Sequence, residues 1–371
     1  MKLSEISEKI RSSSLKYEID FPEDTEITGL CYDSRNVKSG NIFFAVKGLI
    51  SDGNNFIKEA IEKGAVLVFT DDEKFSESQL PVIKVDDVRK FMAMVSGIFY
   101  GDPSSKLKLI GVTGTNGKTT SAYLIHAMLS SAGYKTGLIG TIECMIGNEK
   151  IESKLTTPDS VELNMILNKM VNEKTEFCVM EVSSIALSME RVYGLKFDTA
   201  VFTNLTSEHL DFHKDMENYF EAKKILFDYL GEDSFAVSNK DDEFGQKILS
   251  DTKAEKVFYS VDSPIESDED LKADDVKLGM DGINFNMIYR EKNVNISSDL
   301  AGRFNVYNIL ASAGTVLNYN VSLKSISDVL DNFNGVTGRF NRIPLPNGAV
   351  AVIDYSHTSD SLKNAIEAAR E

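Results

Sequence analysis

The chain has 371 residues, 42% hydrophobic and 26% charged, which suits two or three soluble domains, each able to bury a core. Forty lysines and arginines face 57 aspartates and glutamates, giving a net charge of −17. Such a surface repels nucleic acid and anionic membranes, so an anionic ligand must be held by local cations or a metal.

The N-terminus, MKLSEISEKIRSSS, has acids where a signal peptide needs an apolar core. Short apolar runs follow between turn signals: ITGLCYD, NIFFAVKG, AVLVFTDD and PVIKV, read as strands. Among them NNFIKEAIEKGA places Phe56, Ile57, Ala60 and Ile61 at helical spacing and ends on Gly64. FMAMVSGIFY, residues 91–100, is too short to span a membrane. YGDPSS at 100–105 is a turn cluster that predicts a linker. Cys31, Cys144 and Cys178 show no C-x-x-C spacing, which fits a reducing, cytoplasmic compartment and argues against a zinc ribbon.

Beyond the linker, KLKLIGV reads as a buried strand, TGTNGK as a glycine-rich loop, and TTSAYLIHAMLSSAGY as a helix with Ala122, Ile125 and Leu129 on one face. KTGLIGT, EFCVMEV and DTAVFTNL continue a mostly parallel sheet. Residues 262–300 are acidic and turn-rich, with alternation in INFNMIYR that predicts an antiparallel excursion. A second joint falls at NGVTGRFNR, 334–342, followed by the strand AVAVIDYS and the helix SDSLKNAIEAARE. The expected fold class is α/β, with a small N-terminal α/β domain at 1–102 and a central P-loop ATPase domain at 103–338. Residues 339–371 are too few for a domain with a core of its own.

GVTGTNGKTT carries the sharpest chemical signal. A loop between strand and helix aims backbone N–H groups at one point, and the helix N-terminus adds partial positive charge. Gly114 and Gly117 let the backbone approach a phosphate, Lys118 reaches the β- and γ-phosphates, and the Thr119 hydroxyl faces Mg²⁺. The strict pattern asks for glycine at position 112, which is Val112; glycine stands instead at Gly111 and Gly114. The loop is therefore a variant.

The spacing of T-G-T-N-G-K-T-T resembles that of the Mur ligases, ATP-dependent amide-forming enzymes of peptidoglycan synthesis. Further blocks match in order: YDSRNVKSGNIFFAVKG, LTTPDSVEL, MEVSSIALSMERV, VFTNLTSEHLDFHKDMENYFEAKKILF, GRFNVYNILAS, GVTGRFNR and IDYSHTSDSL. TTPD followed by EVSS resembles the tripeptide-synthetase branch. The resemblance implies that ATP phosphorylates the D-glutamyl carboxylate of UDP-N-acetylmuramoyl-L-alanyl-D-glutamate, and that a diamino acid attacks the acyl phosphate.

It also implies roles. Gly114, Thr115, Asn116, Gly117, Lys118, Thr119 and Thr120 would form the ATP loop, with Asn308, Arg339, Asp354 and His357 completing the nucleotide site. Thr119, Glu181, His209 and Lys223 would serve magnesium, Lys223 as a carbamate. Lys118, Glu181, His209 and Lys223 are the catalytic candidates. The UDP substrate would meet Ser34, Leu49, Ile50, Ser51, Thr156, Thr157, Ser183, Met189 and Arg191. The resemblance implies the cofactors ATP and Mg²⁺; the expected partners are a UDP-N-acetylmuramoyl-dipeptide and a diamino acid, and a monomer is expected.

Plain readings stand beside these. His209 and His213 lie four apart, but the intervening residues lack the Glu of H-E-x-x-H, which argues against zinc. His126 on the loop helix reads as structural, and Asn305 and Asn308 could simply bond a helix start. Ile185, Glu208, Met189, Ser356 and Ser359 depart from the family's usual histidine, aspartate, polar residue, alanine and proline. The resemblance makes 339–371 the stub of the family's Rossmann-like third domain, without its D-N-P-R segment, so the chain looks truncated. Two rivals remain: another amide ligase of the polyglutamate or cyanophycin type, and a non-catalytic nucleotide- or UDP-sugar-binding fragment.

Overall fold

A computed structural model describes residues 1–12, 25–48, 51–75, 81–147 and 149–370. The chain divides into two compact units. The first comprises Met1–Lys106, Pro158–Lys169 and Ser188–Leu195; the second Leu107–Thr157, Met170–Leu187 and Lys196–Glu371.

The first unit is built on four strands, β1 (Gly29–Cys31), β2 (Asn41–Phe44), β3 (Leu67–Thr70) and β4 (Val82–Lys84), all parallel and in that order. Side chains alternate between its faces. Ile42, Phe44, Leu67 and Phe69 pack with Leu3 and Ile6 of the helix Leu3–Ser12 and with Phe91 and Val95 of the helix Val88–Phe99. Phe43 and Val68 face the other way, against Ile57 and Ala60. Covering both faces explains why these strands read as unbroken apolar runs. The helix expected over NNFIKEAIEKGA opens as a 3₁₀ turn, Gly53–Phe56, because the Asp52 side chain accepts from Asn54 N–H; α geometry begins at Ile57.

The second unit holds an eleven-stranded sheet. Its strands are β5 (Lys108–Thr113), β6 (Thr136–Ile139), β7 (Glu143–Ile146), β8 (Glu149–Glu152), β9 (Phe177–Glu181) and β10 (Thr199–Phe202). They continue as β11 (Phe235–Asn239), β12 (Glu255–Ser260), β13 (Leu271–Gly279), β14 (Gly282–Tyr289) and β15 (Lys292–Ser298). The spatial order is β15-β14-β13-β12-β11-β10-β5-β9-β6-β7-β8. From β13 to β6 every pairing is parallel, and antiparallel hairpins extend both ends. The excursion expected near 262–300 is β13–β15. Ile125 and Met128 of the helix Lys118–Ser131 join Ile309, Ala313 and Val316 of the helix Arg303–Leu317 in one buried cluster. A two-stranded ribbon, β16 (Asn341–Pro344) with β17 (Val350–Ile353), and the helix Ser359–Ala368 complete this unit.

The sheet order positions the site. β5 is flanked by β9 on one side and β10 on the other, so the connections leaving their C-terminal ends part there. An open α/β sheet forms its ligand crevice at such a point. Among the described residues no helix is long and apolar enough to cross a membrane.

Candidate functional site

The crevice is a cavity of about 480 Å³ at the end of β5, lined by the loop Thr115–Thr120 together with Glu181, His209, Asn308, Arg339 and His357. Thr156, Ser183, Thr203, Glu208, Asp354 and Asp360 also line it. Two loop glycines have positive φ, +145° at Gly114 and +87° at Gly117. A Cβ at Gly114 would stand 1.9 Å from Thr203 Oγ1, and one at Gly117 would stand 2.4 Å from Asn308 Oδ1. Gly117→Ala is therefore expected to destabilise the fold by more than about 1 kcal/mol and to weaken ATP binding severely. Urea unfolding and calorimetric titration measure the two effects.

Val112 does not belong to the loop. It is a buried residue of β5, so the strict glycine spacing does not apply to it. Gly111 serves packing instead, since a Cβ there would lie 2.8 Å from the Phe197 ring.

Lys118 opens the loop helix, and its Nζ donates to Gly114 O at 2.9 Å and Thr115 O at 2.7 Å. Burial lowers its pKa, while Glu208 and Glu181 pull the other way. The next side chain, Thr119, donates to Glu181 Oε2 at 2.9 Å and accepts from Arg339 Nη2 at 3.0 Å. Glu181 ends β9 and is fully buried. Its carboxylate also receives Thr141 N–H at 2.8 Å and Thr141 Oγ1 at 3.1 Å. A buried carboxylate, a threonine hydroxyl and a guanidinium thus meet at the N-terminus of a 14-residue helix.

Lys223 lies behind the loop, 1% exposed, in the helix Met216–Asp228. Its Nζ donates to Gly114 O at 2.9 Å and sits 4.5 Å from the Tyr219 ring centroid. Burial pushes its pKa well below the usual lysine value, and Lys118 pushes the same way against the pull of Glu208. Tyr219 in turn shares a 3.1 Å hydrogen bond with Thr115 Oγ1. The sequence reading missed Tyr219, although its i,i+4 spacing to Lys223 places both on one helix face.

His209 has φ +55° and begins the short helix Leu210–His213. Burial lowers its pKa; Glu208 opposes this, and Lys118 and Lys223 reinforce it, which favours a neutral ring. His213 Nε2 and Ser184 Oγ share a buried 2.9 Å hydrogen bond. Among the described residues no group of three or more His, Cys, Asp or Glu could by itself hold a metal ion.

The remaining nucleotide candidates surround the loop. Asn116 N–H donates to Asn204 Oδ1 at 2.9 Å, and Asn308 Nδ2 donates to Asn305 Oδ1 at 2.9 Å. Asn305 itself donates to Ala301 O at 2.8 Å, so that asparagine does secure the start of its helix. The Arg339 guanidinium lies 4.9 Å from the Tyr355 ring centroid. Asp354 accepts from Phe340 N–H at 2.6 Å and Ser356 N–H at 2.7 Å, and His357 Nε2 bonds Glu208 Oε1 at 2.9 Å. Thr120 is buried on the loop helix, and His126 sits further along it with its pKa lowered by burial.

The substrate candidates divide between the units. In the second, Thr156 Oγ1 and Thr141 Oγ1 share a 3.1 Å hydrogen bond, Thr157 Oγ1 donates to Glu181 O at 2.9 Å, and Ser183 Oγ accepts from Ala186 N–H at 3.1 Å. In the first, Arg191 pairs with Asp159 at 3.0 Å and lies 3.9 Å from Met189 Sδ. Ser34 Oγ donates to Glu59 at 3.4 Å, and Ser51 O accepts from Gly48 N–H at 2.8 Å. Leu49 and Ile50 lie outside the described residues.

Comparison with known proteins gives two family matches. The Mur ligase middle domain matches residues 112–316, and the Mur ligase family catalytic domain matches residues 26–100. UDP-N-acetylmuramoyl-L-alanyl-D-glutamate--2,6-diaminopimelate ligase 1 of Clostridium acetobutylicum is 42% identical over 360 residues, 96% of this chain and 73% of that protein. The corresponding ligase of Clostridium botulinum is 42% identical over 363 residues, 96% of this chain and 74% of that protein. A solved structure of a UDP-N-acetylmuramoyl-L-alanyl-D-glutamate--2,6-diaminopimelate ligase superposes with a TM-score of 0.83 at 27% identity, covering 100% of this chain and 74% of that one.

Proposed function

The chain belongs to the Mur ligase family, and from that premise we propose that it joins a diamino acid to UDP-N-acetylmuramoyl-L-alanyl-D-glutamate at the expense of ATP. The names of its relatives point to 2,6-diaminopimelate as that amine. The observation that carries the reading is the buried Glu181 carboxylate on the Thr119 hydroxyl at the head of the loop helix, with Arg339 on the same hydroxyl.

The chemical difficulty is bringing a carboxylate against a triphosphate. Lys118, Arg339 and the helix N-terminus supply positive charge where the two anions meet. A carboxylate oxygen of the D-glutamyl group bonds to the γ-phosphorus while the bridging P–O bond breaks and ADP leaves. The diamino acid's neutral amine then attacks the acyl carbon; phosphate leaves with the C–O electron pair, and the amine's proton passes to solvent or a nearby base. Backbone N–H groups of the loop orient the phosphates, and Asn308 faces the loop at Gly117, where a base can stack or bond.

Mg²⁺ fits the Thr119–Glu181 pair, because that ion takes few protein oxygens and fills its octahedron with water and phosphate oxygens. Held there, the ion would supply charge neutralisation on the transferred phosphoryl group. His209, which lines the cavity, would serve a second ion, and Lys223, behind the loop, would reach that ion only as a carbamate. The first unit, with Ser34, Met189 and Arg191, would receive the UDP-linked substrate in the cytoplasm, where such nucleotides are made. Segments 1–102, 103–338 and 339–371 then take the roles of uridine recognition, ATP use and closure.

Release of phosphate from ATP tests the reading. It is expected to require both the UDP-dipeptide and an amine, with diaminopimelate outperforming lysine. A protein that binds ATP yet releases no phosphate with any amine would overturn the ligase assignment and leave nucleotide binding alone.

A further inference from the structure

Glu208 is outside the catalytic set described above, yet its side chain is only 10% exposed and joins two segments 149 residues apart. Its Oε1 accepts from His357 Nε2 at 2.9 Å. Its Oε2 lies 3.5 Å from the Tyr219 hydroxyl and 3.8 Å from His209 Nε2. The other ring nitrogen of His357, Nδ1, lies 3.0 Å from Tyr355 O, an acceptor that a neutral ring donating through Nε2 does not also serve, so the Glu208 contact is the one that orients the ring. A second tie runs parallel: Asn116 Nδ2 of the phosphate loop donates to Asp360 Oδ2 at 3.1 Å.

These ties hold the segment carrying Asp354, Tyr355 and His357, which buries little of its own surface; Tyr355 is 61% exposed. With so little apolar burial, the segment needs polar contacts to hold one arrangement beside the loop. The His357 contact depends on reach. A glutamate arm is one methylene, about 1.5 Å, longer than an aspartate arm, and a shortfall of that size ends a hydrogen bond.

We propose that Glu208 is a positioning residue: through His357 it sets the segment Asp354–Ser361 against the phosphate loop before nucleotide arrives, so that ATP meets a wall already in place. This rests on the reading of the cavity as the nucleotide site. A wall ordered in advance removes a conformational cost from binding, so the effect appears in nucleotide affinity.

The test measures ADP affinity by titration calorimetry on the whole chain, with thermal melts to verify folding. Glu208→Gln keeps length and an accepting oxygen and is expected to bind within about threefold of the parent. Glu208→Asp keeps charge but loses reach and is expected to bind about tenfold more weakly. His357→Ala should weaken binding similarly, and adding Glu208→Asp to it should cost nothing further. Additive effects, an aspartate variant equal to the parent, or a glutamine variant as weak as the aspartate one would each overturn the positioning role. A parent protein that binds no ADP would instead overturn the nucleotide reading on which it stands.

Discussion

Replacing Lys223 with methionine is expected to lower kcat/KM for amide formation by at least ~100-fold while leaving the fold at least as resistant to heat at pH 7. The stability half follows from linkage. Burial holds the folded-state pKa of Lys223 well below that of a free lysine, so below about pH 10.4 the unfolded chain binds a proton that the folded protein resists. Stability lost to this proton grows as pH falls from the unfolded pKa toward the folded one, and methionine removes the whole dependence. No acceptor is orphaned by the change, because Gly114 O keeps its 2.9 Å bond from Lys118 Nζ. The parent should therefore melt below the variant at pH 7, with the gap closing toward pH 10.

The activity half rests on the same amine. A lysine held neutral can attack CO₂, forming an N–C bond and releasing one proton to leave a two-oxygen anion. Lys223→Ala is expected to recover part of its activity with short carboxylates that enter the vacated space. Indifference to them, or a methionine variant with parental turnover, would remove Lys223 from the chemistry.

Glu181→Gln is expected to be the second severe loss, through metal dependence rather than folding. Glutamine is isosteric, its amide oxygen can still accept Thr141 N–H, and the Thr119 and Thr141 hydroxyls can rotate to receive the amide N–H groups. What disappears is the negative charge that would face the proposed Mg²⁺. Half-saturating Mg²⁺ in the phosphate-release assay should rise by roughly tenfold or more. Mn²⁺ binding, followed by electron paramagnetic resonance in the presence of ADP, should weaken in parallel. Unchanged Mn²⁺ affinity would place the ion elsewhere.

Local chemistry explains what could be read from residues alone. Strand, glycines, lysine and threonine of the phosphate site are consecutive from Lys108 to Thr120, so hydrophobic period and loop composition specify them together. The buried strands of both units announce themselves as apolar runs because helices cover both faces. Even Tyr219, absent from the motif reading, carries a local signal in its spacing to Lys223.

The acidic composition left open how such a chain holds anions, and neighbouring residues point to a lysine and a helix N-terminus at one loop. Which distant groups complete that loop follows from the fold. Arg339 reaches Thr119 across 220 residues, and Glu208 reaches His357 across 149. Thr141, with no motif around it, donates to the Glu181 carboxylate from both its backbone N–H and its hydroxyl. These contacts depend on the strand order β10-β5-β9, which brings three C-terminal strand ends together. Strand order is set by packing of whole helices across the sheet, a property that no single stretch of sequence contains.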